Sequence, residues 1–133
     1  MELFRSLSIA ESGMDVYQTW LDAIADNIAN INQVSPTDEA AFQERFVVAQ
    51  SRISAGRPDG ARVARAEFGN PLGRIVYDPN HPLADEEGFI RVPDMNLSDQ
   101  MSNLLMAQRS YQANVAAFER ARTAYETALK IGS

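Results

Sequence analysis

The sequence has no cysteine and a single histidine, His81, among its 133 residues. Disulfides, zinc–thiolate sites and thiol nucleophiles are therefore excluded, and one histidine without cysteine gives no metal constellation. A hydrolase built on His81 and Asp85 would also need a positioned nucleophile or a second base, and none accompanies them. The sequence predicts that the protein is not an enzyme, with no catalytic, metal or cofactor-binding residues and no small-molecule substrate.

Positive charge and long apolar runs are scarce as well. Lys and Arg number 12 against 18 Asp and Glu, a net charge of −6, whereas general binding to nucleic acid or an acidic membrane needs a basic patch. No run approaches the roughly 18 apolar residues of a membrane span. Glu11 and Asp15 interrupt the continuous apolar core that a cleavable secretory signal needs. We expect no nucleic-acid partner, no membrane span and no cleaved signal peptide.

A heptad pattern is present near the carboxyl end. Its apolar residues recur in alternating steps of four and three, which a strand cannot use. Asn96 is a good N-cap, and Gly132 lies just past the last apolar residue, so the pattern predicts one long helix between them. Its a and d positions are Leu97, Met101, Leu104, Gln108, Tyr111, Val115, Phe118, Arg122, Tyr125 and Leu129.

The amino-terminal residues repeat the heptad pattern and predict a second long helix that ends near Asn32. Ile9, Val16 and Ala23 lie outside its seam, so one partner helix cannot cover every apolar group. A buried helix of a small bundle and a helix that contacts neighbouring subunits both explain this. We prefer the second, because the chain has few other elements to cover the extra face. The seam is formed by Leu3, Leu7, Ala10, Met14, Tyr17, Leu21, Ile24, Ile28 and Ile31.

Charge differs between the two predicted helices. Residues 1–32 carry five acidic residues against Arg5, while residues 96–133 carry four basic residues against three acidic ones. Opposite charge favours pairing of the two ends, modestly and with screening by salt. Polar Gln108 lies on the seam and is a candidate for setting helix register, whereas Gln112 and Asn114 either share that role or are simply exposed.

Between the helices, proline and glycine become frequent and short β-prone runs replace the heptads. The expected fold is α+β: two long terminal helices that pair as an antiparallel coiled-coil-like hairpin, with a small β-rich insert between them. The expected boundaries are 1–32 for the first helix, 33–95 for the insert and 96–133 for the second helix. The candidate strands are Phe42 to Ile53, Arg62 to Phe68, Leu72 to Tyr77 and Gly88 to Val92, with turn signals at residues 56–60, 69–71 and 78–82.

Three short motifs are distinctive in their order and spacing. One ends the first helix, one precedes Gly88 in the insert, and one lies in the second helix. The motif residues are Asn27, Asn30, Pro82, Leu83, Ala84, Asp85, Ser110, Tyr111, Gln112 and Asn114. In these motifs the chain resembles the bacterial flagellar axial proteins, the family of rod and hook subunits, whereas the connector after Asn32 departs from the usual pattern of this family.

The resemblance implies a structural subunit of the proximal rod of the flagellar basal body. Such a subunit is made in the cytoplasm, exported by the flagellar type III apparatus without a cleaved signal, and polymerised into a hollow, torque-transmitting shaft that spans the periplasm. Its partners would be itself, other rod proteins and the export apparatus; the alternative is a soluble α+β adaptor that binds a single protein through its helical hairpin. The expected assembly interface comprises Leu7, Met14, Tyr17, Leu21, Ile24, Ile28, Leu97, Met101, Leu104, Gln108, Tyr111, Val115, Phe118, Tyr125 and Leu129.

Overall fold

The computed structural model describes residues 2–132, and the α+β prediction is confirmed. Two long helices enclose four strands in sequence, and the strands form two separate two-stranded sheets, β1 with β2 and β3 with β4. The elements are α1 (Glu2–Asn30), β1 (Arg45–Ser54), β2 (Arg57–Phe68), β3 (Arg74–Tyr77), β4 (Phe89–Val92) and α2 (Leu97–Ile131).

The chain divides into two compact units, and both helices contribute to each. Unit 1 contains residues 2–21, 47–65 and 105–132, and unit 2 contains residues 22–46 and 66–104. The helices are antiparallel within unit 1: Gly13 lies against Asn114, while ten residues earlier Leu3 shares a groove with Tyr125 and Leu129. A Cβ at position 13 would overlap the Asn114 side chain, which explains why a helix-weakening glycine is present there.

The β1–β2 hairpin of unit 1 differs from the expected one. Residues 57–60 were predicted as a turn, but the turn is Ala55–Gly56 alone, with φ of 53° and 75°, and Arg57 already begins β2. A two-residue turn with positive φ at both positions matches the twist of a hairpin. The prediction was wrong because Pro58 and Gly60 favour a turn by their local conformational preferences, which take no account of contacts with residues distant in sequence.

Contacts with α1 explain why residues 57–60 form part of strand β2. Gly60 has φ +88° and approaches so closely that a Cβ there would overlap the Ser12 hydroxyl. The Ala61 N–H donates to Ser12 Oγ at 3.1 Å, and the Arg5 guanidinium donates to the Pro58 carbonyl. β2 therefore packs directly on the first helix.

Within unit 2, hydrogen bonds hold the connector between α1 and β1 against the short β3–β4 sheet. Ser35 exchanges backbone hydrogen bonds with Arg91 of β4, at 2.8 and 2.9 Å. The Ala41 N–H donates to the Pro71 carbonyl at 2.9 Å. The Arg91 guanidinium also donates to the Thr37 carbonyl at 2.7 Å. The connector is thus held in place by β4 and the turn before β3.

Candidate assembly interface and its supporting network

The in-chain contact face of α2 is a stripe of small and amide residues. Its two most buried members are Gln100 and Ala107, which are 1% and 0% exposed. Small side chains allow another element to approach the helix closely, which explains why the most buried positions are not the largest residues. The other members are half-buried and continue in steps of three and four: Asn103, Ser110, Asn114, Ala117 and Ala121.

The predicted apolar seam of α2 lies beside this stripe and is only partly covered. Leu104, Tyr111, Val115, Phe118 and Tyr125 are half-buried. The remaining seam positions are exposed, namely Leu97, Met101, Gln108, Arg122 and Leu129.

The predicted seam of α1 is better covered within the chain than that of α2. Ile24 is buried at 2% exposure. The other predicted interface residues of this helix, Leu7, Met14, Tyr17, Leu21 and Ile28, are half-buried. Apolar groups therefore remain partly open on both helices, and the role of these residues in contacts between subunits stays a prediction.

Two buried amides, Asn27 and Gln100, join three elements of unit 2 in an amide cluster that also includes the half-buried Glu44 carboxylate and the backbone of Arg45. Asn27 is 2% exposed, and its Nδ2 donates to the Arg45 carbonyl at 3.0 Å and to Gln100 Oε1 at 3.2 Å. Its Oδ1 accepts the Arg45 N–H at 2.8 Å, and Gln100 Nε2 donates to the Glu44 carboxylate. Buried amides need such partners, so the cluster fixes α1, the start of β1 and α2 together.

Sequence reasoning found Asn27 through its motif but missed Gln100 and the small-residue stripe. The pattern search counted apolar residues, and Gln100 and Asn103 are polar while Ala107 and Ala117 are small. The signal that could have revealed them is the same alternation of three and four among small and amide residues. Gln108, the expected register element, is exposed, so within the chain the buried amide pair is Asn27 and Gln100.

The other motif residues shape local structure. Asn30 Nδ2 donates to the Asp26 carbonyl at 2.8 Å at the end of α1. In the insert, Asp85 accepts the Glu87 and Phe89 N–H groups, both at 2.9 Å, and its second oxygen accepts the Thr37 hydroxyl at 2.9 Å. The run from Pro82 to Asp85 is therefore a loop whose last residue ties β4 to the connector.

In α2, the motif residues Ser110, Tyr111 and Asn114 are half-buried and Gln112 is exposed.

His81 Nδ1 accepts the Leu83 N–H at 3.0 Å and so stabilises a turn. Within residues 2–132, no three His, Cys, Asp or Glu side chains are grouped so that they could hold a metal ion. Neither helix of the described chain combines the length and apolar character needed to cross a membrane.

Comparison with known proteins gives the family. The chain is 32% identical over 133 residues to the flagellar basal-body rod protein FlgC of Yersinia enterocolitica, covering 99% of both chains. The chain belongs to the FlgC family. It is also 30% identical over 127 residues to FlgC of Aquifex aeolicus, covering 95% of this chain and 94% of that one, and 30% identical over 133 residues to FlgC of Escherichia coli O157:H7, with 99% of each covered.

A family model described as the flagellar basal body rod FlgEFG protein C-terminal region matches residues 86–131, which include β4 and α2. Membership of the FlgC family confirms the resemblance to flagellar axial proteins. It also confirms that the chain is of a structural rod protein family and not of an enzyme family. The alternative of a single-partner adaptor is not supported.

We expect the carboxylate of Asp85 to make the stability of this FlgC-family chain depend on pH. Its pKa lies below the ordinary value, chiefly because the Phe89 N–H donates to it and then because the Thr37 hydroxyl does. A lowered folded-state pKa stabilises the fold above the unfolded-state pKa of about 3.9, and this stabilisation is lost as pH falls through the folded-state pKa. Asp85→Asn should lower the thermal midpoint at neutral pH, and the difference from the unaltered chain should shrink in acid.

Thermal unfolding followed by circular dichroism at several pH values tests this expectation. Asp94→Asn, at an exposed aspartate of the same unit, is the control and should change the midpoint little at any pH. A deficit of Asp85→Asn that is equally large at neutral and acid pH would mean that the charge of Asp85 has no part in the effect.

Proposed function

We propose that this chain is a structural subunit of the flagellar basal-body rod, which polymerises with itself and with other rod proteins into a hollow shaft that transmits torque. One observation supports this most strongly. The α2 helix already has an in-chain contact face and still leaves large apolar side chains exposed: Leu97 at 52%, Met101 at 45% and Leu129 at 56%. Leu97 and Met101 lie one helical turn apart, and neighbouring exposed apolar side chains of this kind form a patch that indicates a surface for binding another protein.

Contacts between two different surfaces of neighbouring subunits would explain how the chain polymerises. When one surface of a subunit binds a different surface of the next, the contact repeats and builds a filament or tube. Such a wall resists shear if each subunit is internally stiff, and the amide cluster of unit 2 supplies hydrogen-bonded connections between both helices and β1. Torque would then be carried by packing, with no chemical step.

The place and route of assembly belong to the same proposal. The family resemblance supports a rod that crosses the periplasm, built from subunits that are made in the cytoplasm and exported by the flagellar type III apparatus without a cleaved signal. Partners are then further copies of this chain, other rod proteins and, in transit, the export apparatus.

Incorporation into isolated basal bodies tests the proposal. The tagged chain should copurify with the rod, and Met101→Asp should abolish this, because a charge at a packed contact is costly when unpaired. Ser102→Asp, at the adjacent exposed position, keeps the added charge but changes no apolar residue and should be incorporated. Basal bodies with complete rods that lack the chain would contradict the proposal, and normal incorporation of Met101→Asp would remove Met101 from the interface.

A further inference from the structure

The short strand β3 of unit 2 is paired along one edge only. It runs antiparallel to β4, and no other strand of the described chain joins its second, open edge. All four of its residues are exposed, and three of them are large and apolar: Ile75 at 49%, Val76 at 37% and Tyr77 at 64%. An edge strand of this kind can take up a strand from another chain.

The backbone groups on the open edge belong to Ile75 and Tyr77. Arg91 of β4 exchanges backbone hydrogen bonds with Ser35, so its N–H and carbonyl point away from β3. Ile75 lies opposite Arg91, and opposed residues in an antiparallel ladder either bond to each other or both point outward. The N–H and carbonyl of Ile75 therefore face the open edge, as do those of Tyr77 two residues further on. Within residues 2–132, no backbone hydrogen bond reaches them there.

We infer that the free chain forms a closed dimer in which β3 of one copy pairs antiparallel with β3 of a second copy, about a two-fold axis at Val76. Ile75 of each copy then exchanges backbone hydrogen bonds with Tyr77 of the other. The two β3–β4 sheets become one continuous sheet. A two-fold contact does not propagate, so this dimer is a state of the unassembled chain and its existence does not depend on the proposed rod function.

A second copy fits the open edge because the side chains of β3 complement each other in this pairing. On one face, Ile75 lies beside Tyr77 of the second copy, and pairs of a β-branched and an aromatic residue across strands are stabilising. The Tyr77 ring is already held against Phe89, with ring centroids 5.3 Å apart. On the other face, Val76 meets Val76 of the second copy. Apolar contact therefore accompanies the backbone bonds on both faces of the new sheet.

Charge at the two ends of β3 favours the same pairing. Asp78 continues the ladder, because its N–H donates to the Gly88 carbonyl at 2.9 Å, so Arg74 of one copy lies opposite Asp78 of the other. A parallel pairing would bring Arg74 beside Arg74, which is unfavourable. Arg74 also lines a groove with Glu44 and Asp99, which attract it as well. These charges therefore select partner and direction, while backbone bonds and apolar contacts provide most of the affinity.

Neighbouring residues exclude a shifted register. Moving the second strand two residues in one direction would place Pro79 opposite Ile75, and proline has no N–H to donate. Moving it two residues in the other direction would require the Gly73 N–H, which already donates to the Asn70 carbonyl at 3.2 Å. The pairing centred on Val76 is thus the one in which every outward N–H of the strand finds a carbonyl.

Charge reversal at one end of β3 tests the inference on the purified full-length chain by sedimentation velocity across a range of concentrations. The unaltered chain should form dimers. Arg74→Asp and Asp78→Arg, each alone, should raise the dissociation constant of the dimer at least about tenfold, because like charges then meet at both ends. An equimolar mixture of the two variants should dimerise again, since acidic ends meet basic ends.

Each outcome decides for or against the dimer. Recovery in the mixture would support the pairing and would also show that both variants fold. A chain that stays monomeric at every concentration, or a dimer that neither variant weakens, would overturn the inference. Loss with each variant and no recovery in the mixture would overturn the antiparallel pairing of Arg74 with Asp78. The proposed rod function would stand in all of these cases, because it is tested separately in basal bodies.

Cysteine cross-linking tests the register without altering charge at the ends, and the chain has no native cysteine to interfere. Val76 lies on the two-fold axis in a non-hydrogen-bonded pair, where Cα atoms are about 4.5 Å apart and within reach of a disulfide. Val76→Cys should therefore give a disulfide-linked dimer on oxidation. Arg74→Cys is the matched control on the same face, because its two Cα atoms would lie about 13 Å apart. Equal cross-linking of the two variants, or cross-linking of the control alone, would overturn the proposed register.

Discussion

Replacing Asn27 with alanine should lower the free energy of unfolding of unit 2 by about 2–4 kcal/mol, because buried partners are left without hydrogen bonds. The Asn27 side chain makes contacts with the Arg45 N–H, the Arg45 carbonyl and the amide of Gln100, all within 3.2 Å. The methyl side chain of alanine can neither donate to the Arg45 carbonyl and Gln100 Oε1 nor accept the Arg45 N–H. Urea unfolding followed by far-UV circular dichroism measures the change.

Asn30→Ala is the matched control for this substitution. Asn30 lies three residues further along α1, is half-buried, and makes a local hydrogen bond to the Asp26 carbonyl at 2.8 Å. Its loss should cost no more than about 1 kcal/mol. Equal destabilisation by the two substitutions would mean that the amide cluster contributes no more than an ordinary helix-terminal hydrogen bond.

The second large effect is expected at Ala107, where glutamate should abolish rod formation and motility. Ala107 is 0% exposed on the contact face of α2, so a longer charged side chain has no room and no water there. Overpacking together with an unpaired buried charge costs more than about 4 kcal/mol, a large fraction of the stability of a small domain. The measurement combines urea unfolding of the purified chain with a count of rods in isolated basal bodies.

Ala124→Glu controls for the added charge and for helix propensity, because Ala124 lies in α2 of the same unit but is exposed. This control should unfold at nearly the same urea concentration as the unaltered chain and should form rods. Stable protein with normal rods from Ala107→Glu would contradict the assignment of the small-residue stripe as the in-chain contact face.

The helices could be predicted from the sequence because their signals are local. The cap at Asn96 is an example: its Oδ1 accepts the Ser98 N–H at 2.8 Å and the Asp99 N–H at 3.3 Å, as its position before a heptad run indicated. The start of β2 could not be predicted in this way. Residues 57–60 become a strand because of contacts with Ser12 and Arg5, which are distant in sequence.

The candidate assembly interface could be predicted only where its residues follow an apolar heptad pattern. The heptads located the two helices and their seams, but the deepest contact of α2 uses Gln100 and Ala107, whose burial depends on how closely another element approaches. The charge pattern of the sequence was likewise only a partial guide to the contacts. Net opposite charge favours pairing of the two helix ends, but it does not identify individual ion pairs such as Asp26 with Arg45 of β1 or Arg122 with Glu119 of α2.

A density map of the assembled basal body tests the central claim, that this chain is a structural unit of the rod. The map should show the chain as part of the rod wall, with α1 and α2 antiparallel and with Leu97, Met101 and Leu129 packed against neighbouring subunits. A complete rod with no density for this chain, or with those side chains facing solvent, would contradict the claim.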